Sequence, residues 1–397
     1  MLAMSFEDTS SSNESNAFEK ISTACNGFTD SLYMSLSVYT DKNMIISPLS
    51  LHMLLSLLSN GAGGSTLDEL RSALGYNDKE IFDKEFLNDE FKALIISLND
   101  MKNVTLHVAN AGYIQKGVDL TEDFLSTCMN IFQSSISKID FEDNIHAAET
   151  INTWVQVATH NKISNIISPD DISVDTKFVL LNAVHFKSRW LKTFNEENTQ
   201  QRKFYVSRTE TYLVPTMFRE ATYFYGEIPV WNTQFIEIPY LNEDIVMVIL
   251  LPDREMELQV LEKKFNWQTL VNRHRFFDDF ELYLPKFKFE ITINLKDILK
   301  KIGLNMMFKD NCDFRRISKF PLKVNNVLQK IFIEVNEQGT EAAAVTAAEM
   351  RTRRMAISPM EFIVDRPFMF AIEHKPTRLP LFLGSVRKLN SLVRDEL

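Results

Sequence analysis

The chain has 397 residues, a net charge of −10 and a hydrophobic fraction of 45%. Length alone suggests about two or three domains, but Pro and Gly are sparse and scattered and no linker or internal repeat stands out. One large core is therefore the expectation. The acidic balance argues against a general nucleic-acid binder, and no run approaches the ~20 apolar residues of a membrane span.

The N-terminal Thr9–Asn16 stretch is polar and low in complexity, so residues 1–16 are expected to be a frayed end. It lacks a basic start, and Glu7 and Asp8 interrupt any apolar run; no cleavable signal peptide is visible. Ala17–Val38 repeats large residues at helical spacing, with Phe18, Ile21, Cys25, Phe28, Leu32 and Leu36 on one face. Gly61-Ala62-Gly63-Gly64 is not followed by the Gly-Lys-Ser/Thr of a phosphate loop. Thr66-Leu67-Asp68-Glu69 has the spacing of a capping box opening the next helix. Val104–Ile114 is strand-like, and Ala147–Ile163 is helical, with Ile151, Trp154, Val155 and Ala158 on one side. From Phe178 onward strands dominate. Ile245–Leu251 is a continuous apolar run suited to a strand buried on both faces. A helix is expected at Leu295–Ile302 and a strand at Val324–Val335. The basic stretch from Lys286 to Lys301 alternates with apolar residues and fits strand and helix surface. Helices first and strands later predict an α+β fold.

Catalytic signatures are missing. The seven histidines form no His-Glu-x-x-His pair, and neither Cys-x-x-Cys nor Gly-x-Ser-x-Gly occurs. No enzyme activity, metal or cofactor is implied. Three cysteines, Cys25, Cys128 and Cys312, do not make a disulfide framework; buried free thiols are expected. Sequons stand at Asn13 and Asn103, and sequence leaves open whether either is glycosylated.

The most informative stretch is residues 334–349, EVNEQGTEAAAVTAAE. Propensity favours a helix, since Ala and Glu are strong helix formers. A packed helix needs a stripe of large apolar residues, and Val345 is the one such residue in 340–349. At period two the segment sorts differently. Thr340, Ala342, Ala344, Thr346 and Ala348 are all small and uncharged, while Glu341 and Glu349 bound the other face. A strand that alternates faces would bury the first set. Directly downstream lies Arg351-Thr352-Arg353-Arg354-Met355, a trypsin-type cleavage site. A merely solvated basic loop is the plain alternative.

These residues carry a resemblance. Glu337-Gln338-Gly339-Thr340-Glu341-Ala342-Ala343-Ala344 resembles the hinge of the inhibitory serpins. Asn43–Ser50 is similar to the serpin segment entering the helix under the central sheet, and Leu181–Trp190 to its central-strand signature. Asp365–Phe370 and Leu381–Gly384 match the family's ending. The motifs stand in order from about Phe18 to Val386, so residues 1–397 are identified as a single serpin domain, of the intracellular type that lacks a signal peptide. The resemblance implies three β-sheets, eight or nine helices and an exposed reactive-centre loop at 337–360, with a tail at 388–397.

It also implies a function and a set of sites. The expected activity is suicide inhibition of Arg-specific, trypsin-like serine proteases. The target attacks the loop and forms an acyl-enzyme, and the cut loop then inserts into the central sheet. The reactive bond is expected at Arg353-Arg354, with Arg351 and Thr352 as subsites. The alternative is Arg354-Met355, which makes Arg351, Arg353 and Arg354 a furin-like Arg-x-Arg-Arg site. A further alternative is a non-inhibitory binding or chaperone serpin. Hinge residues are Glu337, Gly339, Thr340, Ala342, Ala343 and Ala344. Ser47, Pro48, Ser50 and Asn182 match the shutter beneath the sheet. Gln329 stands there where a histidine is common; an amide both donates and accepts. Trp190, Lys286 and Glu337 match the breach, where the loop first enters. The expected partner is a protease held covalently, on a monomeric inhibitor. Heparin activation through residues 78–99 is not expected, because the region is acid-rich. Localisation stays open: an extracellular target class is set against the missing leader, which would mean leaderless release, an incomplete N-terminus or a cytoplasmic protein. The terminal Arg394-Asp395-Glu396-Leu397 is similar to an endoplasmic-reticulum retention signal, but without a leader it is read as an ordinary tail.

Overall fold

The structure is a computed structural model and describes residues 18–38, 41–78, 83–254, 257–340 and 359–389, with the backbone of 395–396. The expected loop residues 341–358 lie outside the described residues, and so does the N-terminal stretch. The first periodic segment is the helix Glu19–Ser37, which buries Ile21, Cys25, Phe28, Leu32 and Leu36. The helix Pro48–Gly61 starts with proline at its first turn, where a missing N–H costs nothing. All its residues are buried. A helix apolar on every side has to lie inside the molecule, and this one packs beneath the central sheet.

That sheet has the strand order Asp395–Glu396, Phe287–Asn294, Asn326–Asn336, Gly339–Thr340, Phe178–Arg189, Val104–Gln115, Ser135–Ile139. Phe178–Arg189 and Asn326–Asn336 run parallel and pair directly from Val179/Asn326 to His185/Phe332. Above that point they part, and the two-residue strand Gly339–Thr340 fills the gap, antiparallel to both. The sheet is closed in its lower part and already contains the first residues of an additional strand at the top.

Among the described residues the remaining strands form one nine-stranded sheet. Where the resemblance implies three sheets, two are joined here by the long strand Thr211–Ile228. Its first part pairs with Gln200–Tyr205, its middle with Phe276–Pro285 and its end with Thr233–Pro239. Ile245–Pro252 is buried along its whole length, as its unbroken apolar run predicts.

Several boundaries differ from the sequence reading. The helix expected over 147–163 is Asn144–Ala158; it ends because His160 and Asn161 adopt left-handed backbone, φ 52° and 62°. The helix and strand expected at 295–302 and 324–335 are Lys296–Lys301 and Asn326–Asn336. The capping-box reading of Thr66 and Glu69 is wrong. That helix, Gly64–Ala73, begins earlier, after Gly63. Thr66 Oγ1 instead accepts from Asp313 N at 2.9 Å, and Glu69 Oε2 accepts from the backbone N–H groups of Asn305 and Met306 at 2.7 and 2.6 Å. Both side chains cap a distant loop, which spacing along one helix cannot reveal. The cysteines are free thiols, with Cys25 and Cys128 buried and Cys312 half-buried.

Candidate functional site: the breach, the hinge and the shutter

The hinge is built by a tight return of the chain. Asn336 and Gly339 face each other across Glu337-Gln338, so Thr340 comes back opposite Val335. Gly339 is held at φ 150°, and a Cβ there would collide with the carbonyl of Ser188 and the Cα of Arg189. The position takes glycine because the backbone of the Phe178–Arg189 strand passes against it.

Trp190 anchors the turn. Its indole Nε1–H donates to Asn336 O at 2.9 Å, its backbone N–H donates to Gln338 O at 3.0 Å, and Phe194 N–H donates to Glu337 O at 2.8 Å. The indole stacks on Tyr240, with ring centroids 4.5 Å apart. Glu337 receives Lys286 Nζ at 2.8 Å and the hydroxyl of Thr199 at 2.7 Å. Burial alone would raise the Glu337 carboxyl, but the hydrogen bonds from Lys286 and Thr199 outweigh it and hold it below the usual range.

A carboxyl depressed in this way contributes stability above its unfolded pKa, and the contribution is lost as pH falls through the folded value. Lys286→Met is therefore expected to lower stability by about 1–2 kcal/mol at pH 7, because Glu337 keeps Thr199 and Lys286 is partly wet. Urea titrations should show the deficit shrinking as pH drops through the carboxylate range. A deficit independent of pH would mean that the lysine acts through packing.

Thr340 is fully buried, and its Oγ1 lies 2.7 Å from the Tyr240 hydroxyl. Burial raises the Tyr240 phenol, so it stays protonated and available as a donor. The sequence reading missed Tyr240. A buried tyrosine hydroxyl needs a partner, but nothing local in the sequence points to a threonine a hundred residues away.

Lower in the sheet, Gln329 sits under the junction of the two central strands. Its Nε2–H donates to Ser47 O at 3.1 Å and to Asn182 Oδ1 at 2.6 Å, while its Oε1 accepts from Ser47 N at 3.1 Å. Asn182 donates to Ser50 Oγ and, at 2.6 Å, to Asn110 Oδ1. Ser47 Oγ donates to Leu381 O at 2.8 Å. The structure thus brings Ser47, Ser50, Asn182 and Gln329 together and adds Asn110, which sequence reasoning did not single out. Pro48 opens the helix beneath them. The named side chains are amides and hydroxyls, so the network itself carries no group that titrates near neutral pH.

Of the expected hinge residues, Glu337, Gly339 and Thr340 are seated in the sheet, while Ala342, Ala343 and Ala344 lie outside the described residues. The same holds for Arg351, Thr352, Arg353, Arg354 and Met355. The acid-rich helix Lys84–Asn99 is amphipathic, burying Leu87, Phe91, Leu94, Ile95 and Leu98. Among the described residues, no helix is long and apolar enough to cross a membrane and no cluster of His, Cys, Asp or Glu could hold a metal ion.

Comparison with known proteins agrees with this architecture. The sequence model described as Serpin (serine protease inhibitor) matches residues 23–389. The antitrypsin of Bombyx mori is 36% identical over 338 residues, covering 84% of this chain and 85% of that protein. The crystal structure of Serpin48 from Tenebrio molitor superposes with a TM-score of 0.85 at 32% identity, covering 94% of this chain and 98% of that one. Human thyroxine-binding globulin superposes at 0.88 with 29% identity, covering 94% and 100%. With a family model spanning nearly its whole length and these relatives on either side, the chain belongs to the serpins, a family of protease inhibitors rather than enzymes.

Proposed function

We propose that this serpin is a suicide-type inhibitor of Arg-specific, trypsin-like serine proteases, trapping the acyl-enzyme by inserting its cut loop into the central sheet. The observation that carries the reading is the seating of Gly339–Thr340 between the two central strands, antiparallel to both. Continuing that register brings Ala342 opposite Ile333 and Phe186, and Ala344 opposite Ile331 and Val184, all core-facing residues. Glu341 comes opposite Glu334 and Lys187 on the other face. From Ala343 onward each step replaces one parallel pairing by two antiparallel ones, which are slightly more stable per residue. The small buried face needs little space and sheds no charge, so insertion can outrun deacylation.

Arg353-Arg354 is the proposed reactive bond: a guanidinium suits the acidic specificity pocket of a trypsin-like enzyme through paired hydrogen bonds. The Bombyx relative is named for trypsin. The arginine pattern Arg351-x-Arg353-Arg354 favours a second reading, inhibition of a furin-like convertase cutting Arg354-Met355. The name of thyroxine-binding globulin keeps a binding role as the rival class.

The test is to mix the protein with trypsin, look for a complex stable in SDS, and map the cut by mass spectrometry. Arg353→Ala should lower the inhibition rate by at least ~100-fold, since a missing charged partner costs several kcal/mol. If Arg353→Ala inhibits normally and Arg354→Ala does not, the bond is Arg354-Met355. Cleavage with no complex supports the binding class.

A further inference from the structure

A second surface beside the loop has no role in insertion. On the strand Phe276–Pro285, alternate residues Phe280 and Leu282 face the core with Ala221, Tyr223 and Phe362. The opposite face is open to solvent. There Phe277 pairs across strands with Phe224, their ring centroids 4.9 Å apart, although Phe277 is 65% and Phe224 40% exposed. The rings are tilted 45° to one another and present adjoining apolar area to solvent, the kind of surface that marks interaction sites when it is contiguous. Continuing along the same face, Glu220, Glu281 and Glu361 form a cross-strand row over three adjacent strands. The Tyr283 hydroxyl donates to Glu281 at 2.9 Å, and Arg275 lies over the Phe224 ring while pairing with Glu237.

This face is continuous with the loop. Met360–Ile363, the strand on which the chain returns, carries Glu361, seven positions after Arg354 in the sequence. Even fully extended, seven residues span at most ~25 Å, whereas a protease domain of about 200 residues is roughly 40 Å across. A protease seated on the Arg353-Arg354 bond is therefore held within reach of the row.

We propose that this aromatic and acidic face is a docking surface for the target protease itself, and that it selects proteases with a basic, partly apolar surface beside the active-site cleft. The proposal rests on the loop serving as protease bait. Carboxylates along the approach path steer a cationic partner and raise the encounter rate, and the ring pair supplies area that slows escape of the encounter complex before the bond is attacked.

Cationic and anionic trypsins, which share arginine specificity, serve as the probes. The measured quantity is the second-order rate of loop consumption, counting trapped and cleaved product together. At low salt, cationic trypsin should consume the protein about tenfold faster than anionic trypsin, and the preference should fall as salt is added. Glu281→Gln/Glu361→Gln should remove most of that preference. Phe277→Ser should slow cationic trypsin several-fold. A charge-matched control on the distant helix Lys84–Asn99, Glu85→Gln/Asp89→Asn, should leave the rate nearly unchanged. If the paired Gln variant moves the rate no more than this control does, the docking surface is overturned. It is also overturned if sedimentation shows a dimer that Phe277→Ser dissociates, since the face then belongs to a second copy. The division of product between SDS-stable complex and cleaved chain reports separately on inhibition, so the two ideas fail in different readouts.

Discussion

Thr340→Arg should turn this protein from an inhibitor into a substrate. The proposed cleavage site is untouched, so trypsin should still recognise and cut it. What changes is the side chain that leads the hinge into the sheet, already seated there in the intact chain. Thr340 is fully buried, against Ser188 and Val335 on the flanking strands and within hydrogen-bond reach of Tyr240. A guanidinium forced into that space must leave water and displaces a hydroxyl from a neutral phenol. An uncompensated buried charge costs several kcal/mol. Every 1.4 kcal/mol added to the insertion barrier slows it about tenfold. Deacylation, which the mutation does not touch, then wins. The moles of inhibitor consumed per mole of trypsin trapped should rise from near one to ten or more, on the order expected from that barrier. Glu341→Arg is the matched comparison. Its position lies outside the described residues, but alternation places it on the opposite face, towards Lys187 and Glu334, and its effect should be much milder. Equal loss in both variants would mean that the hinge does not enter by alternate faces.

The parts of this arrangement that sequence reveals are those with local periodicity. Alternation from Thr340 onward separates a buried face from a wet one, and Thr340 lies where that pattern puts it. The uninterrupted run Ile245–Leu251 becomes a strand buried on both sides for the same reason. Pairings between distant residues have no such local signal. Lys286 and Glu337 are fifty-one positions apart and meet because two neighbouring strands end side by side; only the family resemblance connects them in sequence. Tyr240, Asn110 and Thr199 are ordinary polar residues until folding delivers their partners. Thr66 and Glu69 misled for the same reason, with a spacing that looks local and hydrogen bonds that are not. Gln329 shows the reverse case. A change from the common residue type looks disruptive in sequence, but an amide can donate twice and accept once at that junction, and does.

The largest change in stability should follow from cutting the loop. In the intact chain the central strands touch directly from Val179/Asn326 to His185/Phe332, and the described part of the new strand is Gly339–Thr340. Once severed, the loop is free to continue along the register it has begun. An added strand making ten or so ladder hydrogen bonds at about 1 kcal/mol each, with small side chains closing over the core, should stabilise the fold by on the order of 10 kcal/mol. For a chain of this length that corresponds to a rise in thermal midpoint of about 10 °C or more. Scanning calorimetry of intact protein beside protein nicked once within 341–358 measures this directly. A large upward shift on nicking is the expected result. Identical midpoints would show that the cut loop stays outside the sheet, and the trapping mechanism would have no source of energy.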